Sequence, residues 1–142
     1  MDAITFLRQE HTKFRQTLKS ISKISNDKLK QAKFNAFCKE LIRHETMEQK
    51  AWYPVLRKNS ELRDVIKHLL SEEKSAAKTI KKFKQTGFGI IWKLRFYKFK
   101  HDVDHHAKEE EQALFPKVRK LFSKKELNTL GVKMRKFKSK KK

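Results

Sequence analysis

One eleven-residue motif occurs twice in the chain, at residues 44–54 and 106–116, and it limits the fold more than any other feature. Both copies read His-x3-Glu-x2-Ala, followed by an aromatic residue or leucine, an aromatic residue and a proline. A histidine and a glutamate four residues apart lie about 40° apart around an α-helix, so one helix can direct both side chains to one metal site. The two copies therefore predict two helices that face a common site.

The composition favours long helices joined by short loops in a single domain. The 142 residues include only three glycines and two prolines, which leaves few turn residues for a β-rich fold. No apolar run is long enough to span a membrane, and the first residues lack the pattern of a signal peptide. The single cysteine, Cys38, cannot form an internal disulfide, which agrees with a reducing compartment. These features predict a cytoplasmic protein with no transmembrane segment.

Four segments carry apolar residues at steps of three and four, the spacing of one face of a helix. Polar residues interrupt this apolar series in every segment: His11 in the first, His44 and Glu48 in the second, Glu73 in the third, and His106 and Glu110 in the fourth. Short connections between such helices favour an all-α, antiparallel up-down four-helix bundle. We therefore predict that the six polar residues meet in one layer of its core.

The C-terminal part of the chain predicts a short fifth helix and a basic tail. Ser123 and Glu126 have the spacing of a capping box, and Gly131 follows the last apolar residue of this helix. Seven of the ten residues 133–142 are lysine or arginine, and the formal net charge of the chain is +21. We predict a bundle domain at residues 1–132 and a disordered basic tail at residues 133–142.

Three imidazoles and three carboxylates that converge in an apolar core favour bound metal, because unpaired buried charges are costly. A purely hydrogen-bonded network is the structural alternative. Imidazole and carboxylate ligands without thiolate suit iron, manganese or zinc. Six protein ligands are too many for one ion with an open position, but they fit two ions with Glu48 and Glu110 as bridges. The residues alone leave the choice among these three metals open.

The repeated motif, together with His11 and the closing Ala113-Leu114-Phe115-Pro116, resembles the hemerythrin-like domains, also called HHE cation-binding domains. The resemblance extends from about Ile4 to Leu130. It implies a metal-binding helical bundle whose ligands include His11, His44, Glu48, His106 and Glu110.

The chain departs from the pattern of that family on the third helix. Members typically carry a Glu-His pair there, whereas this chain has Glu72 followed by Glu73. We predict that Glu73 is the ligand from this helix, with His68 as the alternative. Glu45 and Glu109 are further candidates, either as additional ligands or as hydrogen-bond partners of the ligating imidazoles.

The sequence leaves three functions open. The first is a non-haem di-iron protein that binds or senses dioxygen, peroxide, nitric oxide or iron. Its predicted cofactor is two iron ions joined by an oxo or hydroxo group, with manganese or zinc as alternatives. The second is an oxidase, peroxidase-like or ferroxidase enzyme, since carboxylate-rich iron sites support redox chemistry. The third is a metal-stabilised adaptor whose basic tail binds nucleic acid or an anionic surface. A solvated basic surface without such a partner is the alternative explanation of the charge.

Overall fold

The computed structural model describes residues 1–140, and its regular secondary structure in this range is helical throughout. The α-helices of this range are α1 (Ala3–Ser22), α2 (Asp27–Met47), α3 (Tyr53–Leu56), α4 (Arg63–Gln85), α5 (Ile90–Glu109), α6 (Phe115–Leu121) and α7 (Lys124–Lys140). The other helical turns are a first π-turn (Glu48–Trp52), a second π-turn (Glu110–Leu114) and a 3-10 turn (Ser60–Leu62). The predicted all-α fold is confirmed. Of the helices described, none combines the length and the apolar character that a membrane span requires.

Side-chain caps explain where three of the helices begin. Asp2 at the start of α1 accepts a hydrogen bond of 2.8 Å from a backbone N–H of the first turn. Asn26 makes the equivalent hydrogen bond of 2.9 Å at the start of α2. Ser123 and Glu126 form the predicted capping box ahead of α7, with reciprocal hydrogen bonds of 2.8 and 3.1 Å. Each cap satisfies backbone donors that have no partner within the helix.

Both copies of the repeated motif interrupt their helix with a π-turn. The backbone N–H of Tyr53 donates to the carbonyl of Glu48, and that of Phe115 donates to the carbonyl of Glu110, five residues back in each case. The next residue is a proline in both copies, Pro54 and Pro116. Proline has no N–H, and in a regular α-helix its ring would clash with the carbonyl of the residue four positions earlier. The wider turn avoids that clash. The same sequence therefore builds the same local structure twice.

The long helices enclose two apolar clusters. Helix α1 contacts α2 and α5, and α4 contacts the same two helices. The first cluster includes Leu7, Trp52, Leu69 and Leu114. The second cluster includes Phe14, Leu41, Ile80 and Val103. Along each of the four segments, the predicted site residues lie between a member of one cluster and a member of the other. Burial of the two clusters drives folding and leaves a polar layer between them.

The structure places a helix where the sequence predicts a short helix followed by a disordered tail. Helix α7 continues through residues 133–140 and packs on α1, with Met134 completely buried. Arg135 donates to the carbonyl of Met1 at 2.7 Å, and Lys138 contacts Glu10. These contacts hold the segment against the rest of the molecule. Residues 141–142 of the predicted tail lie outside the described residues.

Gly131 does not end the C-terminal helix as predicted, because it lies inside α7 where the helix crosses the N-terminal backbone. A Cβ atom at this position would lie 2.6 Å from the carbonyl oxygen of Met1 and 2.9 Å from the backbone nitrogen of Ala3. Only glycine permits so close an approach. The residue is therefore a packing glycine and not a helix stop.

Candidate metal centre

All six residues predicted for the site lie together in the polar layer between the two apolar clusters. Their positions are His11 on α1, His44 on α2, Glu48 in the first π-turn, Glu73 on α4, His106 on α5 and Glu110 in the second π-turn. Five of them are buried, and the side chain of His106 is 15% exposed. Four separate segments thus contribute to one centre.

The ligand atoms of these residues form two groups. Nitrogen or oxygen atoms of His11, His44, Glu48 and Glu110 lie within 4.8 Å of one another, and so do those of Glu48, Glu73 and His106. Glu48 belongs to both groups, and its role as a bridge between two ions stays a prediction. Glu110 belongs to the first group, and its role as a second bridge stays a prediction.

Each of the three buried imidazoles is held from outside by a carboxylate. The three Nδ1-to-carboxylate distances are all 2.8 Å, in the pairs His11–Glu111, His44–Glu10 and His106–Glu72. The Nε2 atoms point inward, at 3.0 to 3.2 Å from a carboxylate oxygen, in the pairs His11–Glu110, His44–Glu48 and His106–Glu73. A partner at Nδ1 that fixes the ring and leaves Nε2 for the metal is usual for ligating histidines.

The outer carboxylates are held in their charged form. Burial alone would raise the pKa of Glu10, but the hydrogen bonds and charges of His44 and Lys138 outweigh it and lower the pKa to about 2. Burial is likewise outweighed at Glu111, whose contacts with His11 and Arg15 lower its pKa to about 2. A charged carboxylate only accepts hydrogen bonds, so Nδ1 of the imidazole that it contacts is the donor.

When no metal ion balances their charge, the pKa values of two inner carboxylates, Glu48 and Glu110, are shifted in opposite directions. Burial and the negative charges of Glu110 and Glu73 raise the pKa of Glu48 well above its usual value. Burial also acts to raise the pKa of Glu110, but its contacts with Glu48 and His11 lower the pKa overall. One proton therefore stays on Glu48, because two adjacent buried carboxylates cannot both ionise cheaply.

Several ligand atoms of the centre have no hydrogen-bond partner among residues 1–140. They are His11 Nε2, both carboxylate oxygens of Glu48 and Glu110 Oε1, and all are buried. His11 Nε2 and Glu110 Oε1 lie 3.0 Å apart without hydrogen-bond geometry. Buried polar atoms without partners are rare in folded proteins, and metal ions would satisfy these four. The donor set of imidazole and carboxylate therefore fits divalent cations.

Two further polar side chains reach the inner carboxylates from the first copy of the motif. The hydroxyl of Tyr53 donates to Glu110 Oε2 at 2.7 Å and lies 3.2 Å from Glu73 Oε2. Gln49 donates to Glu73 Oε1 at 2.9 Å. The second copy has Glu111 and a phenylalanine at the equivalent positions. The two copies are thus equivalent at the histidine and glutamate but not in what surrounds them.

The alternatives to these site residues lie elsewhere. His68, the alternative to Glu73, has an exposed side chain and contacts Glu109 at 2.8 Å. Glu45 is buried near Glu73, and burial together with the charge of Glu73 raises its pKa well above the usual value. The partners of the imidazoles are instead Glu10, Glu72 and Glu111, which the sequence analysis missed. Their only sequence signal is that each neighbours a predicted site residue.

A cavity of about 240 Å³ adjoins the centre. Its lining includes the imidazoles of His11, His44 and His106, and the apolar side chains of Phe14 and Ala76. A cavity of this kind can admit a small molecule to the imidazoles of the centre.

An all-helical fold with two adjoining groups of imidazoles and carboxylates in its core defines a class of helical proteins with a built-in cation site. The sequence model of the hemerythrin HHE cation-binding domain matches residues 2–118, and the chain belongs to that family. This match confirms the resemblance stated from the sequence.

A solved structure is similar to this chain over nearly its whole length. It is the crystal structure of a hemerythrin HHE cation binding domain-containing protein from Mycobacterium kansasii, with a TM-score of 0.84 and 22% sequence identity. The similarity covers 99% of this chain and 89% of that chain, and it shows a shared fold. A comparison with curated proteins gives no match.

Proposed function

We propose that the chain is a non-haem di-iron protein that binds dioxygen, peroxide or nitric oxide at the buried centre. The observation that supports this best is the pair of ligand groups that share Glu48, with buried nitrogen and oxygen atoms that lack partners. His11, His44, Glu48 and Glu110 would hold one ion, and Glu48, Glu73 and His106 the other. The antiparallel up-down order of the helices, predicted from the short connections, belongs to the same proposal.

Iron is the favoured metal because the ligands are imidazoles and carboxylates without a thiolate, with manganese or zinc as alternatives. When bound, iron supplies redox chemistry toward dioxygen, peroxide or nitric oxide. The chain itself orients three imidazoles through their Nδ1 partners and provides the cavity that His44 and His106 line. One ion would have four protein ligands and the other three, with Glu48 counted for both. Two six-coordinate ions would therefore keep open positions for a small molecule.

A redox enzyme is the second candidate, and one contact favours it. The hydroxyl of Tyr53 is buried, carries a proton and lies 2.7 Å from Glu110. Burial and the charge of Glu110 raise its pKa well above the usual value, so it stays protonated. A proton-bearing group beside the inner carboxylates suits peroxidase-like chemistry.

Binding of nucleic acid through a free basic tail is not part of this proposal. Lys138 and Arg135 of the predicted tail contact Glu10 and the Met1 carbonyl, and Met134 anchors the segment in the core.

The test is the metal content of aerobically purified protein, measured by mass spectrometry, with an optical spectrum of the same sample before and after nitric oxide is added. We expect about two iron ions per chain and a spectrum that nitric oxide changes. Glu48→Ala should lose both ions because both groups use this residue. Glu40→Ala, an exposed change on the preceding helix α2, should retain them. Purification with zinc, or a metal-free chain that stays folded after chelation, would contradict the assignment.

A further inference from the structure

A second cluster of imidazoles and carboxylates lies on the surface between α4 and α5. His68 and Glu72 are one turn apart on α4, and His105 and Glu109 are one turn apart on α5. His68 Nε2 lies 2.8 Å from Glu109 Oε2 and 3.4 Å from Glu72 Oε2. His105 Nε2 contacts Glu109 and lies 3.9 Å from Glu72 Oε2. Both imidazoles therefore converge on the same two carboxylates.

One carboxylate joins this surface cluster to the buried centre. Glu72 Oε1 lies 2.8 Å from Nδ1 of His106, while its other oxygen faces His68 and His105. A ligand bound at the surface would thus touch a group that orients a buried imidazole.

The cavity beside the buried centre also reaches this cluster. Its lining includes Glu72 and the exposed His105 as well as the buried His44 and His106. The same cavity therefore borders two residues of the surface cluster, Glu72 and His105, and the imidazoles of the buried centre.

We propose that His68, Glu72, His105 and Glu109 bind one divalent first-row transition-metal ion, and that this ion passes through the cavity to the buried centre. Two imidazoles and two carboxylates form a donor set that such ions accept. The side chains of His68 and His105 are 58% and 55% exposed, so water can complete the coordination and the ion can leave.

Two negatively charged side chains also make this a favourable point of approach on a chain with a net charge of +21. The general field of the molecule repels cations, but it is screened beyond about 10 Å at ordinary salt concentrations, and the nearby carboxylates dominate at short range. The transfer role rests on the proposed di-iron centre, whereas binding at the surface does not.

The binding test is a titration of metal-loaded protein with Co²⁺ by calorimetry and visible absorption. We expect one Co²⁺ per chain beyond the buried ions, with an affinity that Glu109→Gln lowers by roughly tenfold or more. Asp102→Asn is the matched control, because Asp102 is an exposed carboxylate on the same helix that pairs with Lys98. The assignment is overturned if Glu109→Gln binds Co²⁺ as wild type does, or if Asp102→Asn loses it equally.

The transfer test is the rate at which metal-free protein takes up Fe²⁺ under anaerobic conditions, followed by rapid mixing. Glu109→Gln should slow uptake and leave the final iron content of the buried centre unchanged. Glu40→Gln, a change at an exposed carboxylate outside the cavity lining, should behave as wild type. Equal rates in all three proteins would overturn transfer through this cluster. A wild-type chain that takes up no buried iron, yet binds Co²⁺ in a manner sensitive to Glu109→Gln, would refute the di-iron proposal alone.

Discussion

Each buried imidazole is held by a carboxylate from the neighbouring helix, and that carboxylate is the sequence neighbour of another site residue. Glu10 precedes His11 on α1 and reaches His44 on α2. Glu72 precedes Glu73 on α4 and reaches His106 on α5 in the same way. One residue step turns a side chain by about 100° around a helix, so the neighbour of an inward residue points toward the adjacent helix. The carboxylates that orient the three imidazoles thus come from three different segments of the chain.

Glu45 is also the sequence neighbour of a site residue. It follows His44 on α2 and lies on the side of that helix toward α4. It lines the same cavity as Glu73, so two carboxylates lie where this geometry would otherwise pair a carboxylate with an imidazole. Burial and the charge of Glu73 account for the raised pKa of Glu45. Glu73, at the position where the family resemblance predicts a histidine, therefore also changes the surroundings of the centre.

The choice between Glu73 and His68 as a ligand is tested by replacing each with alanine. Glu73→Ala should lower the bound metal by about one ion per chain, because Glu73 belongs to the buried group with Glu48 and His106. His68→Ala should leave the tightly bound metal unchanged after dialysis, because His68 is exposed. Mass spectrometry of dialysed samples measures both. A larger loss in His68→Ala would show that the wrong residue of α4 was chosen.

The two π-turns determine the direction of the side chains that follow the glutamates of the centre. In each copy the turn begins at the glutamate, Glu48 or Glu110, and the following proline prevents a regular α-helical turn. Insertion of one residue into a helical turn changes the direction of the residues that follow it. Tyr53 is placed in this way above the inner carboxylates. The prolines are therefore part of the construction of the centre.

Helix α7 depends on one glycine for its contact with the N-terminal segment. Gly131→Ala should destabilise the fold by about 1–3 kcal/mol, because its Cβ would overlap the backbone at Met1 and Ala3. This loss opposes the gain that alanine normally brings to a helix interior. Urea unfolding measures the free energy. Gly87→Ala is the control, since a Cβ there meets no atom within 4 Å, and an equal effect of the two changes would contradict the close contact.

At the scale of the whole molecule, the polar layer divides the core and makes the metal-free protein sensitive to acid. The unfolded pKa of a glutamate is near 4.5, whereas Glu10 and Glu111 have a pKa of about 2 in the folded protein. Their ionised forms stabilise the folded state above pH 4.5, and this contribution is lost as the pH falls toward 2. His106, whose pKa is raised above that of a free imidazole, is protonated in both states throughout this interval and adds no dependence on pH.

We therefore expect the free energy of unfolding of the chelated protein, measured in urea, to fall between pH 4.5 and about pH 2. Glu111→Gln should flatten this dependence, because glutamine cannot titrate. A free energy that stays constant across the interval in the wild-type chain would mean that these carboxylates are not held in their charged form.

Much of the fold and of the candidate site could be predicted from local patterns. Helical spacing identified the segments, and the polar interruptions identified His11, Glu73 and the two His-x3-Glu pairs that the structure brings together. The π-turns and the docking of α7 could not be predicted in the same way. The π-turns form because tertiary packing maintains the helix on both sides of a proline. The docking of α7 depends on a contact between Gly131 and the N-terminal end of the chain.

By itself the sequence determined the all-helical character, the residues that interrupt each apolar face and the membership of the hemerythrin HHE family, because these depend on local spacing and side-chain chemistry. Only the tertiary structure decided that Glu10, Glu72 and Glu111 hold the imidazoles and that Glu48 lies in both ligand groups. It also joined Glu72 to the surface cluster. The three contacts of the imidazoles link residues that are 34 or 100 positions apart, and only packing brings these residues together, so no local pattern encodes them.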